Sequence, residues 1–115
     1  MILTYIFNQG PVAETPAAKS ERPRTAVRVL AILKACGREW DVAPSLLTGA
    51  RRQSYITEAR HAAMALLREE GLTQEDIGAI FRRDHTTVIH AVRKHGERMR
   101  SPRYAERFAR VREGL

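Results

Sequence analysis

The chain has 115 residues, of which 20 are lysine or arginine and 13 are aspartate or glutamate, giving a formal net charge of +7. This length suits one small domain with a tail, and a hydrophobic content of 43% excludes a wholly disordered chain. A basic surplus in so small a domain favours a polyanionic partner. The alternative is a basic protein that has no such partner.

The single cysteine, Cys36, excludes an intrachain disulfide and a cluster of thiolate metal ligands. One cysteine also agrees with a reducing, cytoplasmic location. The apolar segment Met1–Phe7 has no basic flank and is far shorter than the roughly 20 residues that a membrane span needs. We therefore expect a cytoplasmic protein that does not enter the membrane.

Residues 1–23 are predicted to form a flexible tail, because Pro16 and Pro23 interrupt any helix there. The domain proper then covers residues 24–115. Its first helix is expected from Thr25 to Cys36, followed directly by a glycine that is a natural stop.

A short helix is predicted to begin at Pro44, which suits a first helical position, and to close at Gly49. A polar, basic loop of residues 50–54 follows. A long amphipathic helix then spans Tyr55 to Glu70 and ends at Gly71.

The next helix has a well-marked start, because Thr73 and Asp76 have the spacing of a capping box. Gly78 weakens this helix by up to about 1 kcal/mol relative to alanine, which is tolerable where another backbone must approach. Residues 82–84 form a short turn, and Asp84 is placed to cap a further helix.

This further helix is expected to present one apolar face to the core and one polar face to solvent. The residues predicted to face inward are Val88, Ile89 and Val92. A last helix begins at Ser101-Pro102. With no period-2 strand in the chain, the pattern predicts an all-α domain of about six helices that contains a helix-turn-helix.

A helix that reads the major groove needs short polar residues at its start and cations nearby for phosphates. His85, Thr86 and Thr87 meet the first requirement, with donors, acceptors and a threonine methyl that can meet a thymine methyl. Arginine and lysine residues on either side meet the second; they are Arg82, Arg83, Arg93 and Lys94.

The run Asp84–Ala91, continued by Arg93-Lys94, resembles the signature of the C-terminal DNA-binding domain, domain IV, of the bacterial replication initiator DnaA. The resemblance extends back through Ile77-Gly78 to Arg60 and covers roughly residues 25–100. It implies a helical fold of the Trp-repressor type, bound as a monomer to double-stranded DNA at a short asymmetric DnaA box of the TTATCCACA type.

The resemblance also implies roles for individual residues. Those implied to contact bases are Arg52 in the minor groove, Arg60, Asp84, His85, Thr86 and Thr87 in the major groove, and Ala91 through an apolar contact. Those implied to contact phosphates are Arg51, Arg68, Arg83 and Lys94. The implied partners are double-stranded DNA and the replication initiator or its regulators, on the bacterial nucleoid.

Three positions depart from the family pattern. The turn Phe81–Asp84 has no glycine, His61 stands where glutamine is common, and Glu58 stands where a basic residue is common. The chain also has no phosphate-binding loop of the ATPase type. We expect no ATPase or other enzymatic activity, no cofactor and no metal site.

Two further functions stay open at this point. One is a regulatory module that binds a protein of the replication-initiation machinery. The other is a transcription factor that uses the same fold on a different operator. Asp84, taken alone, is also explained by helix capping.

Overall fold

Six helices make up most of the computed structural model, which describes the backbone of residues 16–115 and the side chains of residues 25–115. They are α1 (Pro16–Trp40), α2 (Pro44–Leu47), α3 (Ser54–Glu69), α4 (Gln74–Phe81), α5 (His85–Arg98) and α6 (Pro102–Glu113). The described residues contain no strand. The predicted all-α fold with a helix-turn-helix is confirmed.

Helix α1 is longer than predicted at both ends. Its first residue is Pro16, so the expected interruption at Pro23 is wrong over this segment. A proline at the first helical position is pre-organised for a helix, and the alanine, lysine and glutamate residues that follow it favour one. The predicted boundary between tail and domain at residue 24 stays a prediction, and residues 1–15 of that tail lie outside the described residues.

The predicted stop at Gly37 is also wrong, because α1 continues to Trp40. Gly37 accepts a hydrogen bond from the Val42 backbone nitrogen at 2.8 Å, and a Cβ at this position would collide with the Val42 carbonyl oxygen. The glycine therefore permits a close backbone approach inside the helix. The chain leaves the helix at Asp41, which has a left-handed φ of 56°.

Helix α3 lies at the centre of the domain and packs against α1, α2, α4 and α5. Its bounds agree with the prediction to within one residue at each end. Small side chains at Ala59, Ala62 and Ala63 are fully buried, which lets the neighbouring helices approach closely. Within the part of the chain that the structure describes, no helix has the length and hydropathy needed to cross a membrane.

The start of α4 has the capping box that the sequence predicts. The Thr73 hydroxyl accepts a hydrogen bond from the Asp76 backbone nitrogen at 3.1 Å, and the Thr73 nitrogen donates to Asp76 Oδ2 at 3.4 Å. Gly78 lies in this helix beside the turn, and a Cβ there would be 2.5 Å from the Arg83 carbonyl oxygen. The expected close backbone approach at Gly78 is confirmed.

The glycine-free turn reverses direction at Arg82, whose φ of 57° and ψ of 45° are left-handed. This conformation costs a residue with a Cβ roughly 1–2 kcal/mol, whereas glycine adopts it freely but loses more entropy on folding. Arg82→Gly is therefore expected to raise the free energy of unfolding by about 0.5–1 kcal/mol. Urea denaturation measures the change, and Arg82→Ala is the control because it removes the charge but keeps the strain. Equal stability of the two variants would contradict the expectation.

Candidate nucleic-acid interface

The first turn of α5 presents a row of exposed polar side chains. Asp84 is the N-cap residue, and its Oδ1 lies 3.5 Å from the Thr86 backbone nitrogen and 3.0 Å from His85 Nδ1. Both side chains of this pair are solvent-accessible, as are Thr86 and Thr87. Asp84 therefore both caps α5 and orients the His85 imidazole. Its role as a cap is compatible with an exposed polar surface at this end of the helix.

The inner face of α5 agrees with the prediction at Val88 and differs from what was expected at Ala91 and Ile89. Ala91 is only 1% exposed and packs in the core with Val88, so the apolar base contact implied for Ala91 is not available at the surface. Ile89, which was predicted to face inward, is 38% exposed. Each residue turns the helix by about 100°, and the buried stripe runs through residues 88 and 91, which carries residue 89 to the outside.

The basic loop between α2 and α3 exposes Arg51 and Arg52. The Thr57 hydroxyl donates a hydrogen bond to the Arg52 carbonyl oxygen at 3.4 Å, which ties the loop to the first turn of α3. An open cleft of about 750 Å³ separates this loop from the helix-turn-helix. Arg52 lines one wall of the cleft, and Arg82 and Thr87 line another.

Arg60, which was predicted to contact a base, is buried with 5% exposure. Its guanidinium hydrogen-bonds four backbone carbonyl oxygens. The acceptors are those of Leu47 at 2.7 Å, Arg51 at 2.9 Å, and Leu46 and Gly49 at 3.2 Å each. Burial, and then the charge of Arg83, lower its pKa to about 10, so the side chain is still cationic at neutral pH. In this geometry Arg60 holds the loop between α2 and α3 through hydrogen bonds to its backbone.

Arg83 is also engaged within the fold. Its Nη1 donates to the Phe81 carbonyl oxygen and its Nη2 donates to the Gly49 carbonyl oxygen, both at 2.7 Å. Burial, with the nearby charge of Arg52, lowers the pKa of this guanidinium. Two of its five N–H donors are thus directed at backbone, whereas the neighbouring Arg82 is exposed.

A sequence model of the family described as the bacterial DnaA protein helix-turn-helix matches residues 29–94, which is more than half of the chain. The chain belongs to this family. It is 43% identical over 72 residues to the chromosomal replication initiator protein DnaA of Thermomicrobium roseum, with coverage of 61% of this chain and 16% of that protein. It is 34% identical over 101 residues to the same initiator of Deinococcus radiodurans, with coverage of 81% and 21%.

The chain therefore spans only a small part of the length of these initiators. The matched residues include the loop, the long central helix and the helix-turn-helix described above. This DnaA-type domain is a helix-turn-helix that binds DNA.

The remaining cations implied to contact phosphate are exposed. Arg68 Nη1 donates to the Leu72 carbonyl oxygen at 3.0 Å, and Lys94 Nζ lies 3.6 Å from Glu97 Oε1. Surface contacts of this kind are weak, so both side chains can exchange them for phosphate oxygens. No group of three or more histidine, cysteine or acidic side chains is placed to hold a metal among the residues that the structure describes.

The two departures on α3 have structural explanations. Glu58 accepts a hydrogen bond from Trp40 Nε1 at 3.1 Å, so this carboxylate links α3 to the end of α1. His61 Nδ1 lies 2.7 Å from Arg98 Nη1. Burial, and then the charge of Arg98, lower the pKa of His61 to about 4. No local sequence pattern signals either contact, because each partner lies 18 or more residues away.

The low pKa of His61 predicts a pH dependence of stability. Between pH 6.5, the ordinary value, and about pH 4, the unfolded chain binds this proton and the folded domain does not. The stability contributed by neutral His61 is thus present above about pH 6.5 and is lost as the pH falls toward 4. His61→Gln is expected to reduce the drop in unfolding free energy between pH 7 and pH 4.5, measured by urea denaturation. His85→Gln, an exposed change on α5, is the control, and equal drops in both variants would contradict the prediction.

Proposed function

We propose that the domain binds a short asymmetric duplex of the DnaA-box type as a monomer. Asp84, His85, Thr86 and Thr87 would read bases from the major groove, and Arg52 would enter the adjacent minor groove. The observation that carries this proposal is the shared cleft, which has Arg52 on one wall and Thr87 on another. A duplex that receives the start of α5 in its major groove would meet Arg52 at its neighbouring groove.

Phosphate contacts in this proposal come from exposed cations, of which Arg82 lines the cleft. They are Arg51, Arg68, Arg82 and Lys94, with Arg93 as a fifth exposed cation on α5. Arg82 takes the place of Arg83, whose donors are directed at backbone. About five neutralised phosphates give a log–log salt slope near −4 to −5.

Thr86→Ala is expected to cost about 1–3 kcal/mol of binding free energy for the box and to relax discrimination at one base position. The reason is that Thr86 is exposed at the start of the recognition helix, where it contacts base edges. Arg68→Ala, the matched control, should weaken binding to all duplexes by a similar factor and make the salt slope shallower by about 1. Fluorescence anisotropy with a box and a scrambled duplex at a fixed salt concentration measures both. If the unmodified protein binds the two duplexes equally, the proposed specificity is wrong.

We further infer that the domain regulates replication initiation by occupying such sites, without catalysing a reaction. A box that this domain occupies could not bind a replication initiator at the same time. This sequence has no nucleotide-binding loop of the ATPase type, and the proposed occupation of a box requires none.

An exposed apolar face on α1 favours a second candidate function, a contact with a protein of the initiation machinery. Val27 is 67% exposed and Leu30 is 36% exposed. Capture from nuclease-treated extract, compared between the unmodified domain and a His85/Thr86/Thr87 triple alanine variant, separates the two functions. A protein partner that both retain supports the second candidate. Selection from random duplexes tests the related alternative of a transcription factor, which predicts enrichment of an operator unlike the DnaA box.

A further inference from the structure

Two arginines meet at one backbone oxygen between the basic loop and the helix-turn-helix. The Gly49 carbonyl oxygen accepts a hydrogen bond from Arg60 Nη2 at 3.2 Å and from Arg83 Nη2 at 2.7 Å. Arg60 reaches it from α3, eleven residues along the chain, and Arg83 reaches it from the turn, thirty-four residues along. Three segments of the chain therefore converge on this single atom.

The other bonds of the two guanidinium groups fix the ends of this connection. Arg60 also holds the carbonyl oxygens of Leu46, Leu47 and Arg51, so it supports the loop on both sides of Gly49. Arg83 also holds the carbonyl oxygen of Phe81, at the end of α4. Hydrogen bonds from charged donors are shorter and stronger than neutral ones, and the planar fork of arginine can satisfy two acceptors at once.

The geometry points to a clamp that sets the position of Arg52 relative to the recognition helix. Arg52 follows the clamped segment directly, and its exposed side chain faces the cleft that Arg82 and Thr87 also line. We propose that Arg60 and Arg83 are positioning residues for DNA specificity, acting through the Gly49 carbonyl and not through contacts of their own with DNA. This inference rests on the proposed function, in which Arg52 and the start of α5 read adjacent grooves.

Both guanidinium groups of the clamp are held by backbone carbonyl oxygens and not by carboxylates. No carboxylate contacts either guanidinium among the described residues, so the charge of both stays uncompensated next to the cleft. The charges add to the attraction of a phosphate backbone even though some of their donors bind backbone oxygens. Preorganisation of a loop in its bound position raises affinity by reducing the entropy that is lost on binding.

Arg83→Lys tests the clamp because it keeps the positive charge but cannot bridge two carbonyl oxygens as arginine does. Arg82→Lys is the matched control, one residue away, exposed and with the same change of side chain. In the absence of DNA, hydrogen exchange of the backbone amides of Leu47, Thr48 and Gly49, which donate to backbone carbonyl oxygens, is expected to accelerate at least several-fold in Arg83→Lys and to stay unchanged in Arg82→Lys. Unchanged exchange in Arg83→Lys would overturn the clamp.

The second readout is a double-mutant cycle with Arg52→Ala, measured as affinity for a DnaA-box duplex. In the unmodified protein and in Arg82→Lys, Arg52→Ala should lower affinity about tenfold or more. In Arg83→Lys the same change should lower it less than about threefold, because the loop no longer holds Arg52 in place. Equal losses in all three backgrounds would assign Arg83 a direct phosphate contact and overturn the proposal. If the unmodified protein does not prefer the box, the proposed function fails, and the exchange experiment still decides the clamp.

Discussion

Gly78→Ala is expected to destabilise the domain by about 2–3 kcal/mol, although alanine is the better helix former. The new Cβ would lie 2.5 Å from the Arg83 carbonyl oxygen and 3.5 Å from the His85 nitrogen. Both neighbours are backbone atoms of the turn, so no side-chain rotation relieves the collision. The turn must move, and α5 moves with it.

Gly96→Ala is the control, because a Cβ at Gly96 meets no atom within 4 Å. This second change, in the last turn of α5, should stabilise the domain by up to about 1 kcal/mol. Urea denaturation gives both values, and anisotropy with a box duplex should show weaker binding only for Gly78→Ala. An alanine at position 78 that leaves stability unchanged would refute the steric argument.

Arg60→Met is expected to lower the free energy of unfolding by about 3 kcal/mol or more. Methionine fills the space of the aliphatic stem but supplies no donor. The carbonyl oxygens of Leu47 and Arg51 then lose the hydrogen bond from position 60, whereas that of Leu46 keeps the Gly49 nitrogen and that of Gly49 keeps Arg83. Each buried acceptor that loses its partner costs about 1–3 kcal/mol, and partial access to water lowers the sum. The free energy of unfolding of Arg60→Lys should lie between those of the unmodified protein and Arg60→Met, because a single ammonium can reach only some of these oxygens.

Arg68→Met, on the same helix, is the matched control. Arg68 is exposed and donates one hydrogen bond, to the Leu72 carbonyl oxygen, so its loss should cost about 0.5–1 kcal/mol. Thermal and urea denaturation compare the two. Should Arg60→Met be no less stable than Arg68→Met, the buried arginine would have no supporting role in the loop.

These two predictions concern the different roles of the arginines near the cleft. The arginines around the cleft fall into one group that faces solvent, such as Arg52 and Arg82, and another that hydrogen-bonds backbone, Arg60 and Arg83. Under the proposed function, a count of cations near the start of α5 therefore overstates the number of direct DNA contacts. It correctly reports the sign of the local field, because arginines without acidic partners still attract phosphate.

The sequence by itself determined the local structure and the family. The spacing of Thr73 and Asp76, and the prolines at 44 and 102, set three helix starts through contacts within one turn. The run Asp84–Ala91 identified the helix-turn-helix, because its side chains follow one another on a single element. Interactions between neighbours in sequence need no knowledge of the path of the chain.

Only the tertiary structure decided which members of that pattern face solvent. Arg60 is buried because the loop of residues 48–53 folds over it, and Arg83 is occupied because that loop also reaches the turn. Ala91 is buried and Ile89 is exposed, the reverse of what was expected, because the contact with α3 selects which stripe of α5 is buried. Helical periodicity leaves an apolar face uncertain by about one residue, and a backbone acceptor leaves no mark in the sequence. The partner that fixes each of these side chains lies on another segment, so its effect enters only when the helices pack.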